Sequence, residues 1–177
     1  MALNFETVKT NLYTWAISVV PALTPVIFAN ENSPRPALPY VTLYLTSLVQ
    51  IGEDWTPKPD NAGGAEMVGD REFTLQIQCY GGDPITILEN VRSSLQKQSV
   101  LDTLRANGIV FVNHFPISDV TQLLDTEYEA RGTMDVLFRI AQLNTDDLGK
   151  IETVEVQEIL SDGNAEVWNE TVTITAL

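Results

Sequence analysis

One cysteine, one histidine and ten basic residues are the whole supply this chain of 177 residues offers to most familiar chemistries. Cys79 stands alone and can close no internal disulfide, so nothing points to an oxidising compartment. His114, equally alone, falls short of the multi-histidine sets that hold catalytic zinc. Lys and Arg total 10 against 24 Asp and Glu, a formal net charge of −14. So few cations exclude nucleic acid held by phosphate neutralisation, and they argue against docking on an anionic membrane. No apolar run approaches the ~20 residues of a transmembrane helix. The longest, from Trp15 to Val20, is interrupted by Ser18 and ends at Pro21. The N-terminal residues lack a basic, then apolar, then small-residue succession, so no signal peptide is expected. A phosphate-binding loop, a dinucleotide fingerprint and a nucleophile elbow are also missing; Gly63-Gly64 and Gly81-Gly82 fall in predicted loops.

What is present suits a folded domain. Hydrophobic residues make up 44% and charged residues 19%, enough apolar material for a core and too little charge density for a disordered chain. The length fits one compact domain or one domain with an extension.

Phe5, Val8, Leu12, Trp15 and Val19 recur at helical spacing, with Asn4 as N-cap and Pro21 and Pro25 as the stop. Asn30 to Pro39 reads as a proline-rich loop. Two alternating strands follow: Tyr40 to Gln50, with Val41, Leu43 and Leu45 on one face, and Glu72 to Tyr80, with Phe73, Leu75, Ile77 and Cys79 on one face. Between them, Gly52 to Val68 carries Pro57, Pro59, Gly63 and Gly64 and is expected to be the long mobile tip of an antiparallel hairpin. Asp83 is placed to cap a helix opening at Pro84, and Ser99 to Asn107 to form a second, closed by Gly108. Ile109 to Val112 is a short strand, and Val120 to Asp125 is irregular or extended. Glu127 to Leu143 is a long strand whose Met134, Val136, Phe138 and Ile140 share a face. Ile151 to Leu160 and Glu166 to Ala176 form a last hairpin around Ser161-Asp162-Gly163-Asn164. Strands and helices do not alternate, which predicts an α+β fold: a mainly antiparallel sheet with a long hairpin and helices packed on one face.

The candidates for chemistry are few. Cys79 and His114 form the one possible thiol–imidazole pair, yet Cys79 sits in the core phase of its strand and reads as a small buried hydrophobe. Asp146 and Asp147 are adjacent carboxylates in a turn and read as solvated rather than metal-binding. No catalytic, cofactor-binding or metal residue is assigned, and no cofactor is expected. Arg35, Arg71, Arg131 and Arg139 lie in or beside strands and are candidates to pair with carboxylates of a neighbouring subunit. Trp55, Met67 and Trp168 are apolar anchors in segments poor in apolar residues, suited to an interface. On the residues alone, this is an acidic, non-enzymatic, mainly β domain.

Three stretches together resemble a known family. Arg35-Pro36-Ala37-Leu38-Pro39-Tyr40-Val41-Thr42-Leu43 leads to Val49-Gln50-Ile51-Gly52; Gly69-Asp70-Arg71-Glu72-Phe73-Thr74-Leu75-Gln76-Ile77-Gln78 precedes Tyr80-Gly81; and Leu123-Leu124-Asp125-Thr126-Glu127-Tyr128-Glu129-Ala130-Arg131 precedes Met134-Asp135-Val136 and Phe138-Arg139. In this order and spacing they resemble the neck (tail) terminator proteins of contractile-tailed bacteriophages, from about residue 4 to 155. The resemblance implies a tail-terminator-like α+β domain over 1–155; residues 156–177 lie outside it and are expected to be a C-terminal β-hairpin extension of the same domain. It implies a structural virion protein of the tail and neck, assembled in the host cytoplasm. The expected state is a hexameric homo-oligomer, a ring that ends the tail tube and joins it to the neck connector or head-completion protein, with the sheath protein as a further neighbour. DNA would pass through its lumen without specific binding, and no membrane is involved. A head-closure or minor tail ring protein, or a small hydrolase, are the alternative readings.

Overall fold

The computed structural model describes residues 4–30, 32, 34–60, 62–124, 126–147, 149, 153–161 and 166–175, and for 157–161, 166–170 and 175 the backbone alone. Helix α1 (Phe5–Val19) opens where the Glu6 N–H donates to Asn4 Oδ1 at 3.0 Å and closes at Val20, ahead of Pro21. Strands β1 (Val26–Phe28), β2 (Tyr40–Trp55) and β3 (Gly64–Tyr80) follow. Helix α2 (Pro84–Ser94) is capped by Asp83, which accepts from the Thr86 N–H at 3.2 Å, and α3 (Gln98–Ala106) follows at once. The remaining strands are β4 (Ile109–His114), β5 (Ser118–Asp119), β6 (Gln122–Leu124), β7 (Glu127–Glu129), β8 (Arg131–Asp147), β9 (Thr153–Ser161) and β10 (Glu166–Thr175).

The main sheet has the order β1-β2-β3-β8-β4, with β5 also paired to β8. β2 with β3, β4 with β8 and β5 with β8 are antiparallel; β1 runs parallel to β2. Arg131 meets Gln78 and Arg139 meets Glu72, so β3 and β8 also run in opposite directions. β6–β7 and β9–β10 are separate antiparallel pairs. The architecture is the expected α+β fold, mainly β.

One face of the sheet is the core. Leu75, Ile77 and Cys79 of β3 and Met134, Val136 and Phe138 of β8 are buried there with Leu12 and Trp15 of α1, Leu88 and Val91 of α2 and Leu104 of α3. Aromatic rings tie the layers together. Phe138 stacks on Phe73 at 5.6 Å and meets Trp15 edge-on at 5.9 Å and Phe111 at 6.2 Å. Trp15 Nε1–H finds its acceptor in Ser94 Oγ at 3.1 Å, so its polar edge is satisfied inside the core. Gly132 lies in the same phase of β8; a Cβ there would stand 2.9 Å from Leu88 Cδ1, so its lack of a side chain lets α2 approach the strand.

The segment from Gly52 to Val68 departs from the expected long loop. β2 continues to Trp55 and β3 begins at Gly64, leaving only 56–63 as the connection. Alternation fails as a guide there because the register shifts twice, at Thr46 and between Ile51 and Trp55. The first shift carries the phase of Leu43 and Leu45 to Leu48, which lies opposite Phe73 yet is half exposed. Gly52, at φ 70°, takes up the second. The long strand expected over Glu127 to Leu143 is likewise divided at Ala130 into β7 and β8.

Two compact units emerge from the chain's own contacts. The first contains 1–55 and 68–144; the second contains 56–67 and 145–177, including the β9–β10 hairpin. The turn expected at Asp162-Gly163-Asn164 lies outside the described residues.

Candidate assembly surface

The face of the sheet turned away from the helices carries the polar half of each alternation. Tyr40 and Tyr80 stack there, ring centroids 4.7 Å apart and planes 7° apart. Arg35 lies over both rings, at 5.4 and 5.8 Å, and Arg131 over Tyr80 at 4.6 Å. Arg35 also pairs with Glu129, and this hydrogen bond raises the guanidinium pKa further. Burial, opposed in part by Arg35, raises the Tyr40 phenol above its ordinary value, so it stays a neutral hydroxyl. Arg131 and Tyr80 both donate to Gln78 Oε1. Beside this cluster a shallow depression of about 390 Å³ is lined by Asn30, Thr42, Tyr44, Gln76 and Gln78 among others.

Along β8 the same face holds an unusual row. Arg131 Nε, Thr133 Oγ1, Asp135 Oδ1 and Arg139 Nε are hidden from solvent and have no hydrogen-bond partner among the described residues. They occupy alternate positions of one strand, so they share one side of the sheet. A buried polar atom left unpaired costs about 1–3 kcal/mol. Buried polar atoms left without a partner in a folded chain call for an explanation, such as a bound water or a group from outside the chain.

Further along the sheet, Arg71 grips Asp54 through two bonds, Nη1 to Oδ1 at 2.7 Å and Nη2 to Oδ2 at 2.8 Å. Arg71 is 9% exposed, and it holds Asp54 at a position that period-two reading gives to a loop. Gly69 makes room for it: a Cβ there would overlap the Asp54 carboxylate and the Arg71 guanidinium. The Arg71 hydrogen bonds hold the Asp54 carboxyl below the usual carboxylate range. A depressed folded pKa adds stability that is present above the unfolded value of about 4 and is lost as pH falls through the folded value. Gly69→Ala is expected to part the pair and return the Asp54 pKa towards its ordinary value; an NMR titration of the carboxyl carbon checks this, and an unchanged midpoint would refute it.

The remaining expected positions lie as follows. Arg139 Nη2 donates to Glu72 Oε2 at 3.0 Å within the chain. Trp55 is 64% exposed at the end of β2, and Leu48, Val49 and Ile51 of the same strand are exposed as well. Met67 is half-buried in β3. Trp168 stands in β10 opposite Leu160; its side chain lies outside the described residues. Alternation marked the β8 face as polar, but Thr133 and Asp135 were not singled out, nor were Tyr40, Tyr80 and Gln78. Nothing in the sequence says which polar atoms neighbouring strands will hide.

The positions that might have carried catalysis are apart. Cys79 is on β3 and His114 on β4, with β8 between them. Burial, with a contribution from Asp83, pushes the Cys79 thiol up to about 11. At neutral pH its thiolate fraction is on the order of one in ten thousand. Native protein should therefore resist a thiol reagent that labels it fully in denaturant, and rapid labelling of the folded chain would contradict this burial. His114 stacks on Phe111 at 6.3 Å. Asp147 accepts from the Gly149 N–H at 3.1 Å in a local turn. Among the described residues no cluster of His, Cys, Asp and Glu is grouped as a metal site. A groove of about 310 Å³ between α1 and α3 is lined by Trp15, Val100 and Leu104 with Asn, Ser and Thr, and holds no titratable group.

The outer face of the sheet thus gathers stacked tyrosines, fork-shaped arginines, amides and unmet hydrogen bonds. Comparison with known families matches residues 6–164 to the family described as phage neck terminator protein. Comparison with curated proteins gave no match. With nearly the whole chain inside that match, and a fold of the expected class beneath it, this chain belongs to the phage neck terminator protein family.

Proposed function

We propose that the chain forms a closed ring of six copies that ends the phage tail tube and joins it to the neck. The row of unpaired polar atoms on β8 is the observation that carries this reading beyond family membership. A monomer bears the full cost of those atoms, whereas a neighbour that supplies donors and acceptors removes it. A cyclic ring is head-to-tail, so the partner is a different face of the next copy, repeated at every interface. Arg131 and Arg139 contribute their free Nε groups, and Arg35 its guanidinium edge beside the tyrosine stack. Arg71 acts indirectly, by holding Asp54 of β2 against β3, and Trp55, Met67 and Trp168 serve as apolar anchors.

The acidic balance suits a channel through which DNA slides without being held. The tail tube lies on one side of the ring and the neck connector or head-completion protein on the other, with the sheath protein as an outer neighbour. Assembly takes place in the host cytoplasm.

A reconstruction of the assembled particle tests the reading. A single ring of six copies at the tail-neck junction is expected, with the outer face of β8 covered by the adjacent copy. Scattered single copies, or a ring at a head-closure position, would overturn it.

A further inference from the structure

Where its side chains are described, at 153–156 and 171–174, the β9–β10 hairpin has two chemically different faces. In its register Val154 is opposite Ile174 and Val156 opposite Val172, while Glu155 is opposite Thr173 and Gln157 opposite Thr171. Further along, Glu158 is opposite Glu170 and Leu160 opposite Trp168, at positions in the valine phase. Val154, Val156, Val172 and Ile174 are 43–60% exposed. A two-stranded pair of this kind is marginal in water without a covering surface.

Charge identifies what covers it. From Glu152 onward the chain carries Glu152, Glu155, Glu158, Asp162, Glu166 and Glu170 and no lysine or arginine. A second copy is a poor match. The whole chain has 10 basic residues, and Lys9, Arg35, Arg71, Arg92, Arg105 and Arg139 are already ion-paired to carboxylates of their own chain. Nucleic acid is repelled by the same carboxylates. The family match stops at residue 164, so it spans β9 but not β10.

We propose that the apolar face of the β9–β10 hairpin docks on a different virion protein, one that offers an apolar stripe bordered by Lys and Arg. This rests on the neck reading but is separate from ring formation: the outer face of β8 joins copies to one another, and the hairpin joins the ring to an unlike neighbour. Opposite charge steers the encounter, and burial of the valine and isoleucine side chains supplies the affinity.

Carbodiimide coupling of carboxylates to lysines in wild-type particles, followed by mass spectrometry, tests this without substitution. Adducts are expected from Glu155, Glu158 or Glu170 to lysines of another virion protein. Adducts only to this chain's own lysines, or none from the hairpin, would overturn the proposal. Val156→Glu together with Val172→Glu provides the second arm. Rings should form as before, with at least tenfold fewer completed particles, and a normal particle yield would overturn the proposal. Loss of the rings themselves would assign the hairpin to contacts between copies and overturn it too. Particles that contain no ring of the wild-type chain would refute the neck reading instead, so the two failures are distinguishable.

Discussion

Phe138→Ala should cost the chain more than half of its stability. Phe138 is fully buried on the central strand β8 and meets three aromatic rings from three other elements: Phe73 of β3, Trp15 of α1 and Phe111 of β4. Removal of a buried Phe side chain costs about 3–5 kcal/mol through lost transfer energy and the cavity left behind. Loss of edge-to-face and stacked contacts adds to this by ~0.5–1.5 kcal/mol per pair. A domain of this size is typically stable by only about 5–15 kcal/mol. The cavity opens between sheet and helices, where β3 and β8 cannot move inward without breaking their ladder, so little relaxation offsets it. Urea unfolding followed by circular dichroism should show the midpoint falling by more than half. Phe138→Leu, which keeps most of the volume, should recover much of the loss. A Phe138→Ala midpoint close to the wild type would mean that the aromatic cluster is not the keystone of the core.

That core was the most legible part of the chain. The stripe of Val8, Leu12 and Trp15 and the alternation of Phe73, Leu75, Ile77 and Cys79 each repeat one period without interruption, and each is buried as the period requires. Legibility fails where the backbone changes phase. The bulge at Thr46 reverses which residues of β2 face the core, and a reader who holds to one phase past Leu45 loses the strand. Beyond it, Glu53-Asp54 looks like loop chemistry, yet Asp54 is held in place by Arg71, seventeen positions later. Such a pair exists only once the hairpin is in register, so neither residue signals it alone. β1 was hidden for another reason: three residues after Pro25 are too short to show a period, and its pairing is with Val41 to Leu43, far along the chain.

The recognition surface shows the same limit more sharply. Arg131 and Arg139 stood out because charge in a strand is conspicuous, and Arg35 because it stands just ahead of one. Thr133 and Asp135 did not, because the polar half of an alternating strand normally faces water and needs no explanation. What sets them apart is that Thr133 Oγ1 and Asp135 Oδ1 are hidden in the folded chain without a partner among the described residues.

Thr133→Val combined with Asp135→Leu should separate folding from assembly. In the isolated chain, Thr133 Oγ1 and Asp135 Oδ1 are hidden without partners, so apolar groups of similar shape should leave stability unchanged or raise it by about 1 kcal/mol. In the ring, those atoms are proposed to meet donors and acceptors on the next copy. Two lost hydrogen bonds, one of them charged, weaken each interface by about 2–4 kcal/mol, roughly 30- to 1,000-fold in its equilibrium constant. A closed ring repeats that loss at every interface, so the completed ring should become undetectable before any single contact is abolished. The measurement is paired: thermal unfolding of the purified variant, and native mass spectrometry or imaging of rings formed on tails. The expected result is a melting temperature equal to or above wild type with no rings. Normal rings would show that the outer face of β8 lies away from the subunit contact, and a collapsed melting temperature would show that Thr133 and Asp135 support the fold rather than the assembly.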